Sequence, residues 1–188
     1  MLPRLWSVIA AALFLCTAAQ ASPRRDGLRA PVRSACISSP FGPRVLPNRP
    51  LAGMYHYGVD LPAPAGEAVR ATAPGKVIRV QENGPGGLEV FVQHDGFVGI
   101  YSHLGMVAPA LAGGKISLAA GDELGVVGNT GVTYGMHLYF EMLLAGRPVD
   151  PAPYLGVPLC NSGVYRTRAD MLGSDGKIPP THHYRRAN

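Results

Sequence analysis

Three short segments of this chain carry side chains that can bind a metal ion: His56-Tyr57-Gly58-Val59-Asp60, Ser102-His103-Leu104 and His137-Leu138-Tyr139. His56 and Asp60 are four residues apart, with Gly58 between them and Pro62 shortly after. A regular helix is disfavoured there, so we expect a loop that enters a strand and aims both side chains at one point. Zinc accepts an imidazole together with a carboxylate. His56 and Asp60 are therefore candidate metal ligands.

The segment at His137 departs from a metal-binding pattern at one position. Residues i and i+2 of a strand point to the same face, so a His-x-His strand would add a third ligand and a catalytic imidazole. Here the second position is Tyr139. Four interpretations stay open: Tyr139 binds the metal as a phenolate, the site binds metal weakly, the site lacks metal and remains a binding groove, or Tyr139 only fills the ligand's volume. A catalytic zinc normally has three protein ligands, and a phenol has a pKa of about 10 in water unless a metal lowers it.

The other histidines receive no role in a site. The chain has six histidines in total. His94 precedes Asp95-Gly96 at a predicted hairpin tip, where a role in the turn is the default. His182 and His183 lie in a polar tail, where histidines are usually solvated. The three that remain are those of the segments above.

The elements that must position these residues are strands. Residues 36–154 are dense in Gly and Pro and contain short apolar runs, which is a β pattern with many turns. His103 would end one strand and His137 would begin another, with Leu138 and Phe140 facing the core. The predicted strands cover residues 76–81, 88–93, 99–103, 123–127 and 137–144.

The start of the chain carries signals of export. Arg4, the apolar run 5–16 and Ala19-Gln20-Ala21 predict a signal peptide over residues 1–21, with cleavage before Ser22 and no transmembrane anchor afterwards. An uncleaved anchor or a buried helix is the alternative. The exported protein would be periplasmic or extracellular.

Three segments are predicted to follow the signal peptide. Residues 22–35 are rich in Pro and Arg and form a flexible lead-in, residues 36–156 form the domain, and residues 157–188 form a largely irregular C-terminal extension. After cleavage the remaining cysteines are Cys36 and Cys160. An oxidising compartment favours a disulfide between them, and two separate buried thiols are the alternative.

The charge of the chain gives only a weak indication of its partner. The formal net charge is +5. A modest positive charge is compatible with an anionic envelope polymer. The arginines are scattered and no segment matches a nucleic-acid-binding module, so we expect no nucleic-acid partner.

A series of short motifs runs from about residue 38 to residue 155: Ser39-Pro40-Phe41-Gly42-Pro43-Arg44, His56 with Asp60, Pro74-Gly75-Lys76-Val77, His94-Asp95-Gly96, Tyr101-Ser102-His103-Leu104, Gly128-Asn129-Thr130-Gly131, His137-Leu138-Tyr139-Phe140-Glu141 and Pro148-Val149-Asp150-Pro151. Each motif alone is a weak signal, but their order is specific. In this order they resemble the lysostaphin/LytM-type peptidoglycan endopeptidases.

The resemblance implies a compact, antiparallel, all-β domain with a lipoyl-like hybrid β core and a groove across one sheet. It implies zinc as cofactor, held by His56, Asp60 and the residue at position 139, which is Tyr139 here. His103 and His137 would position and polarise the attacking water and steady the developing oxyanion, while the metal lowers the pKa of that water. The implied reaction is hydrolysis of a peptide crosslink in the cell wall, with peptidoglycan peptides as partners.

Two other functions compete with hydrolysis. A degenerate member could bind peptidoglycan without cleaving it, or regulate a cell-wall amidase. Such regulators usually carry a coiled coil or a wall-binding repeat before the domain, whereas this chain has only the lead-in 22–35. A lipoyl-like carrier is suggested by Ala73-Pro74-Gly75-Lys76-Val77 and Gly121-Asp122-Glu123-Leu124, but no lysine stands at a suitable hairpin tip.

Overall fold

The fold is built almost entirely from short strands. The computed structural model describes residues 27–33, 36–46 and 48–160, so the predicted signal peptide and the chain beyond residue 160 lie outside the described residues. No helix in this part of the chain is long and apolar enough to cross a membrane.

The described residues form eleven strands, one 3-10 turn and two short helices. The elements are β1 (Gly42–Pro43), a 3-10 turn (Pro50–Ala52), β2 (Tyr55–His56), β3 (Gly58–Pro62), β4 (Ala68–Arg70), β5 (Gly75–Asn83), β6 (Gly87–His94), β7 (Phe97–Val107), α1 (Pro109–Ala112), β8 (Ser117–Leu118), β9 (Glu123–Val127), β10 (His137–Leu144), β11 (Arg147–Val149) and α2 (Ala152–Leu155).

One nine-stranded sheet carries the domain. Its order is β11-β10-β7-β6-β5-β8, with β3 beside β10 and with β9 pairing to both β4 and β7. Strands β1 and β2 form a separate two-stranded sheet. Every pair of named strands is antiparallel. The predicted all-β, antiparallel fold class is confirmed.

The central strand β10 shows why these residues form a sheet with one open face. Its residues alternate between a buried row and a half-buried row, and these rows are Leu138, Phe140 and Met142, and His137, Tyr139 and Glu141. This period of two is the geometry of a strand, and it sends one row into the core and the other outward. Burial of a large side chain such as Phe140 stabilises the fold by about 2 kcal/mol.

The two ends of the described domain are joined. Cys36 and Cys160, which are 124 positions apart in the sequence, form a disulfide with their Cα atoms 5.0 Å apart. The Ile37 N–H donates to the Pro158 carbonyl, and the Cys160 N–H donates to the Ile37 carbonyl. The residues just after 156 therefore pair with the start of the domain. Closing a loop of this length restricts the unfolded chain and stabilises the fold by about 4–5 kcal/mol in the chain-entropy account.

His94 lies in the core, so the prediction of a role in the turn is wrong for its side chain. The residue ends β6 and is only 3% exposed. Its ring stacks on Phe97, with the ring centroids 4.5 Å apart. Its Nδ1 lies 2.9 Å from the Pro74 carbonyl oxygen, and its Nε2 lies 3.2 Å from the Tyr101 hydroxyl. Burial lowers the pKa of His94 and keeps the ring neutral.

Candidate metal centre

Strand register brings together candidate residues that are far apart in sequence. Strand β10 lies between β3 and β7, so that Tyr139 is paired with Asp60 on one side and with Ser102 on the other. His137 shares the face of Tyr139 two residues earlier. His56 ends β2, immediately before the strand that carries Asp60. All five predicted site residues line one groove of about 450 Å³, these being His56, Asp60, His103, His137 and Tyr139.

His103 reaches the groove through an unusual backbone conformation. Its φ is 64°, in the left-handed region that residues other than glycine rarely adopt. Its N–H donates to the Gly86 carbonyl and its own carbonyl accepts from the Gly128 N–H, both at 2.9 Å. These two bonds hold the backbone where strand β7 shifts its register after Leu104. Conformations of this kind cluster at functional sites.

The three groove histidines are anchored in the same way. Each Nδ1 lies within hydrogen-bond distance of a backbone carbonyl oxygen, and a carbonyl oxygen can only accept. Each Nδ1 must therefore carry a hydrogen, which leaves Nε2 as the nitrogen available to a proton, a metal or a ligand. The pairs are His56 with Pro40 at 3.0 Å, His103 with Thr130 at 2.9 Å and His137 with Gly135 at 2.9 Å.

Asp60 is the electrostatic centre of the groove. Its Oδ1 lies 3.1 Å from His56 Nε2 and 3.4 Å from His137 Nε2. Its Oδ2 lies 3.7 Å from the Arg44 guanidinium, which also donates to the Ser39 hydroxyl at 2.9 Å. Burial raises the pKa of Asp60, but the hydrogen bonds and charges of His137 and His56 outweigh burial and hold that pKa well below its usual range. Asp60 is therefore a carboxylate at neutral pH.

The pKa values of the two histidines expected to act on water are shifted in opposite directions. Burial lowers the pKa of His137, but the hydrogen bond and charge of Asp60 outweigh burial and raise it above its ordinary value. Burial lowers the pKa of His103, and the charge of His137 lowers it further. Their ring centroids are 4.9 Å apart. The groove thus places a histidine with a raised pKa, His137, beside one with a lowered pKa, His103.

Tyr139 occupies the third position of the implied ligand set as a neutral phenol. Its ring centroid lies 5.2 Å from that of His56, and its hydroxyl donates to Glu141 Oε2 at 2.8 Å. Burial raises the pKa of Tyr139 far above its usual range, and the negative charge of Glu141 adds to this. A Cβ at Gly58 would meet the Phe140 carbonyl group first and would come 2.9 Å from the Tyr139 ring, so Gly58 permits the close approach of β10 and also leaves room for the phenol.

Two carboxylates beside Tyr139 were not predicted from the sequence. Glu89 accepts from the Ser102 hydroxyl at 2.7 Å and from the Gln81 side-chain amide at 2.6 Å. Burial raises the pKa of Glu141; the hydrogen bond from Tyr139 opposes this, and the nearby charge of Glu89 adds to it. The period of β10 could have identified Glu141, which follows Tyr139 by two residues on the same face. Nothing in the sequence pairs Glu89 with it.

The walls of the groove are aromatic and partly exposed. Tyr55 and Tyr57 are 41% and 53% exposed, and their ring centroids lie 4.9 Å apart. Elsewhere in the lining the Tyr134 hydroxyl accepts from the Leu51 N–H at 3.2 Å, and the Arg49 guanidinium lies 5.3 Å above the Tyr134 ring. A lining that combines histidines and a carboxylate with aromatic rings suits a ligand that has both polar and apolar parts.

The implied zinc site is suited to a metal at two positions and not at the third. His56 Nε2 and Asp60 Oδ1 are adjacent, and both are ordinary zinc ligands. Tyr139 offers a neutral hydroxyl that is already engaged by Glu141. Within the described residues, no set of three or more His, Cys, Asp and Glu side chains is already assembled as a metal-binding group. The ligand set that the resemblance implies is therefore not formed here.

Curated relatives of the chain include bacterial peptidases. The DD-carboxypeptidase/endopeptidase Mpg of Neisseria meningitidis is 36% identical over 116 residues, which are 61% of this chain and 26% of the relative. The peptidoglycan DD-endopeptidase ShyA of Vibrio cholerae is 34% identical over 137 residues, which are 72% of this chain and 31% of the relative. The chain thus spans less than a third of the length of these relatives.

Solved structures share the fold. A zinc containing peptidase from Vibrio cholerae matches with a TM-score of 0.53 and 28% identity, over 74% of this chain and 40% of that one. The catalytic domain of lysostaphin from Staphylococcus simulans matches with a TM-score of 0.55 and 26% identity, over 65% of this chain and 92% of that one. The model of Peptidase family M23 matches residues 54–151, which include every groove residue predicted from the sequence. The resemblance is confirmed, and the chain belongs to peptidase family M23.

Proposed function

We propose that this domain binds the peptides of peptidoglycan in its groove and, with Tyr139 in place of a metal ligand, retains little of the hydrolysis of its relatives. The named activity of ShyA, a peptidoglycan DD-endopeptidase, supports the choice of polymer. The single observation that carries the proposal is the hydrogen bond from Tyr139 to Glu141, which engages the hydroxyl at a ligand position while the other site residues remain. The domain acts outside the cytoplasm, because peptidoglycan lies there.

The floor of the groove can recognise a peptide bond. A peptide bond offers a carbonyl oxygen and an N–H group. Asp60 outweighs burial and raises the pKa of His137, which favours a protonated ring that can donate to the carbonyl oxygen, and the Nε2 of His103, whose pKa burial lowers, can accept from the N–H. The two rings are close enough to contact one amide group.

The same pair has a defined part in hydrolysis when a third metal ligand is present. A bound zinc supplies Lewis acidity and lowers the pKa of a water molecule. His103 would accept a proton from that water, and His137 would donate a hydrogen bond to the developing oxyanion. With Tyr139 neutral and hydrogen-bonded, we derive no metal-assisted step for the natural sequence.

The test compares the natural protein with Tyr139→His and Tyr139→Phe. We expect all three to bind crosslinked muropeptides, measured by calorimetry, with affinities within about threefold. Tyr139→His should release cleavage products detectable by chromatography, because it places an imidazole on the strand face of His56 and Asp60. Tyr139→Phe is the matched control, since it keeps the ring and supplies no ligand.

Two results would contradict the proposal. Failure of the natural protein to bind muropeptides or intact cell-wall sacculi would remove peptidoglycan as the partner. Rapid cleavage by the natural protein, lost in Tyr139→Phe, would make the Tyr139 hydroxyl part of a working catalytic site.

A further inference from the structure

The ring of His103 is positioned by a hydrogen bond to the backbone of Thr130. Its Nδ1 lies 2.9 Å from the Thr130 carbonyl oxygen, which can only accept, so Nδ1 carries the hydrogen and Nε2 is the nitrogen that can accept from a ligand. His103 is 7% exposed and lines the groove. The direction of Nε2 therefore depends on what holds the Thr130 carbonyl group in place.

The Thr130 hydroxyl links its loop to two strands of the sheet. It donates to the Leu104 carbonyl oxygen at 2.8 Å and accepts from the Leu88 N–H at 2.9 Å. Leu104 follows His103 in β7, and Leu88 lies in β6. The β6–β7 register shifts just after Leu88 and the β7–β9 register just after Leu104, so the hydroxyl binds backbone groups at two interruptions of the strand ladders.

Two glycines allow the loop of Thr130 to pack directly against the turn between β5 and β6. Gly87 and Gly131 have φ angles of 65° and 75°, in the left-handed region that glycine adopts readily. A Cβ at Gly87 would overlap Thr130, and a Cβ at Gly131 would overlap the Pro85 carbonyl oxygen. The Val132 N–H donates to the same Pro85 carbonyl at 2.8 Å. The loop that carries Thr130 is thus anchored by its backbone as well as by the Thr130 hydroxyl.

The same turn and the same loop hold the backbone of His103. Its N–H and carbonyl bind Gly86 and Gly128, at a φ of 64° that residues other than glycine rarely adopt. We propose that Thr130 is a positioning residue for His103: its hydroxyl fixes the loop, and its carbonyl then sets the tautomer and the direction of the imidazole. This role rests on the proposed function only for its ligand, the peptide N–H that Nε2 would bind.

The alternative is that Thr130 only stabilises the fold, so the test needs a readout of the ring itself. The variants Thr130→Val and Thr130→Ala remove the hydroxyl, and Thr130→Ser keeps it. Thr72→Val is the matched control, because Thr72 is 1% exposed, its hydroxyl lies 2.9 Å from that of Tyr101, and it lies outside the groove lining. Heteronuclear NMR of the imidazole nitrogens at about pH 8, in chelator, distinguishes the two neutral tautomers, and His103→Gln identifies the signals of His103.

We expect His103 to keep its hydrogen on Nδ1 in the natural protein, in Thr130→Ser and in Thr72→Val. Thr130→Val and Thr130→Ala should change the ratio of the two tautomers by about threefold or more, because a hydrogen bond that holds one tautomer biases the equilibrium by about tenfold. Calorimetry should show a muropeptide affinity about five- to tenfold weaker in these two variants, and unchanged within about twofold in Thr130→Ser and Thr72→Val. Urea unfolding should show a loss of stability in Thr72→Val as well, so stability alone does not separate the two roles.

Two outcomes would overturn the positioning role. In the first, Thr130→Val and Thr130→Ala keep the natural tautomer ratio and lose only stability, as Thr72→Val does, which would make Thr130 a structural residue. In the second, the tautomer ratio changes while the muropeptide affinity does not, which would show that the ligand makes no use of the direction of the ring. If the natural protein binds no muropeptide, the proposed function fails, whereas the tautomer ratio still tests the link between Thr130 and His103.

Discussion

Histidines lie in both the core and the groove of this domain, and the two regions differ in the partner of one ring nitrogen, Nε2. In the core, the Nδ1 of His94 is tied to a backbone carbonyl and its Nε2 contacts the hydroxyl of Tyr101. In the groove, His56 and His137 have the same carbonyl anchor, but their Nε2 atoms face a carboxylate oxygen that cannot donate. The core network is complete within the protein, whereas the groove network needs a proton or a cation from outside.

The comparison also separates two buried tyrosines. The Tyr101 hydroxyl accepts from the Thr72 N–H at 3.0 Å and lies 2.9 Å from the Thr72 side-chain hydroxyl. These contacts link β7 to the segment that follows β4. Burial raises the pKa of Tyr101 to about 12. Tyr139 has one partner, Glu141, and lines the groove. Tyr101 therefore belongs to the packed core, whereas Tyr139 belongs to the lining of the groove.

The largest effect should come from removing the core histidine. His94→Ala should lower the free energy of unfolding by about 3 kcal/mol, because it opens a cavity beside Phe97 and leaves the Tyr101 hydroxyl without its acceptor. His137→Ala, measured in chelator, should lower it by less than about 1 kcal/mol, since its site opens to water. Urea unfolding measures both. An equal loss in the free energy of unfolding for the two variants would show that His137 is as important to the packing of the fold as His94.

Removing the hydroxyl group from each tyrosine should have a smaller effect on stability, and the size of the loss should differ between Tyr101 and Tyr139. Tyr101→Phe should lower the free energy of unfolding by about 2 kcal/mol, because the groups of Thr72 and His94 that it pairs with are buried. Tyr139→Phe should cost about 0.5 kcal/mol, since groove water can replace its bond to Glu141. The substitution is the same in both cases, so a larger loss at Tyr139 would show that the groove network is as closed as the core.

The smallest effect should be in the dependence of stability on pH, where the two regions have opposite signs. Burial lowers the pKa of His94 below 6.5, so the unfolded chain takes up this proton first and stability falls as the pH drops from about 7 to about 5. Asp60 raises the pKa of His137 above 6.5, so this contribution is present at low pH and is lost as the pH rises through the folded value.

Urea unfolding of the chelator-treated protein across this pH range tests the sign. His94→Gln should flatten the loss of stability on the acid side, and His137→Gln should flatten the loss on the alkaline side. The two variants serve as controls for each other, because each removes one titrating imidazole. A change in the same direction for both variants would refute the opposite pKa shifts of His94 and His137.

Much of the site could be predicted because strand geometry is local. The alternation from His137 to Leu144 sets strand β10, and with it the shared face of His137 and Tyr139. The order of the motifs indicated that His56, Asp60 and His103 belong to the same groove. These features follow from spacing along the chain, which a sequence displays directly.

What could not be predicted depends on register between distant strands. The pairing of Asp60 with Tyr139 across β3 and β10 cannot be predicted from either segment alone. The contact of Glu89 with Ser102 arises from the β6–β7 pairing, which shifts its register between Leu88 and Val90. The core position of His94 was missed because a Gly-containing turn follows it, and turn residues alone do not reveal where the side chain points.

The disulfide has a mechanical consequence for the strands that it encloses. Since the Cα atoms of Cys36 and Cys160 lie 5.0 Å apart and their sulfurs are bonded, the chain between them forms one closed covalent loop. A force applied to the chain at these two cysteines would be carried by the disulfide and would leave the strands around the groove unstressed.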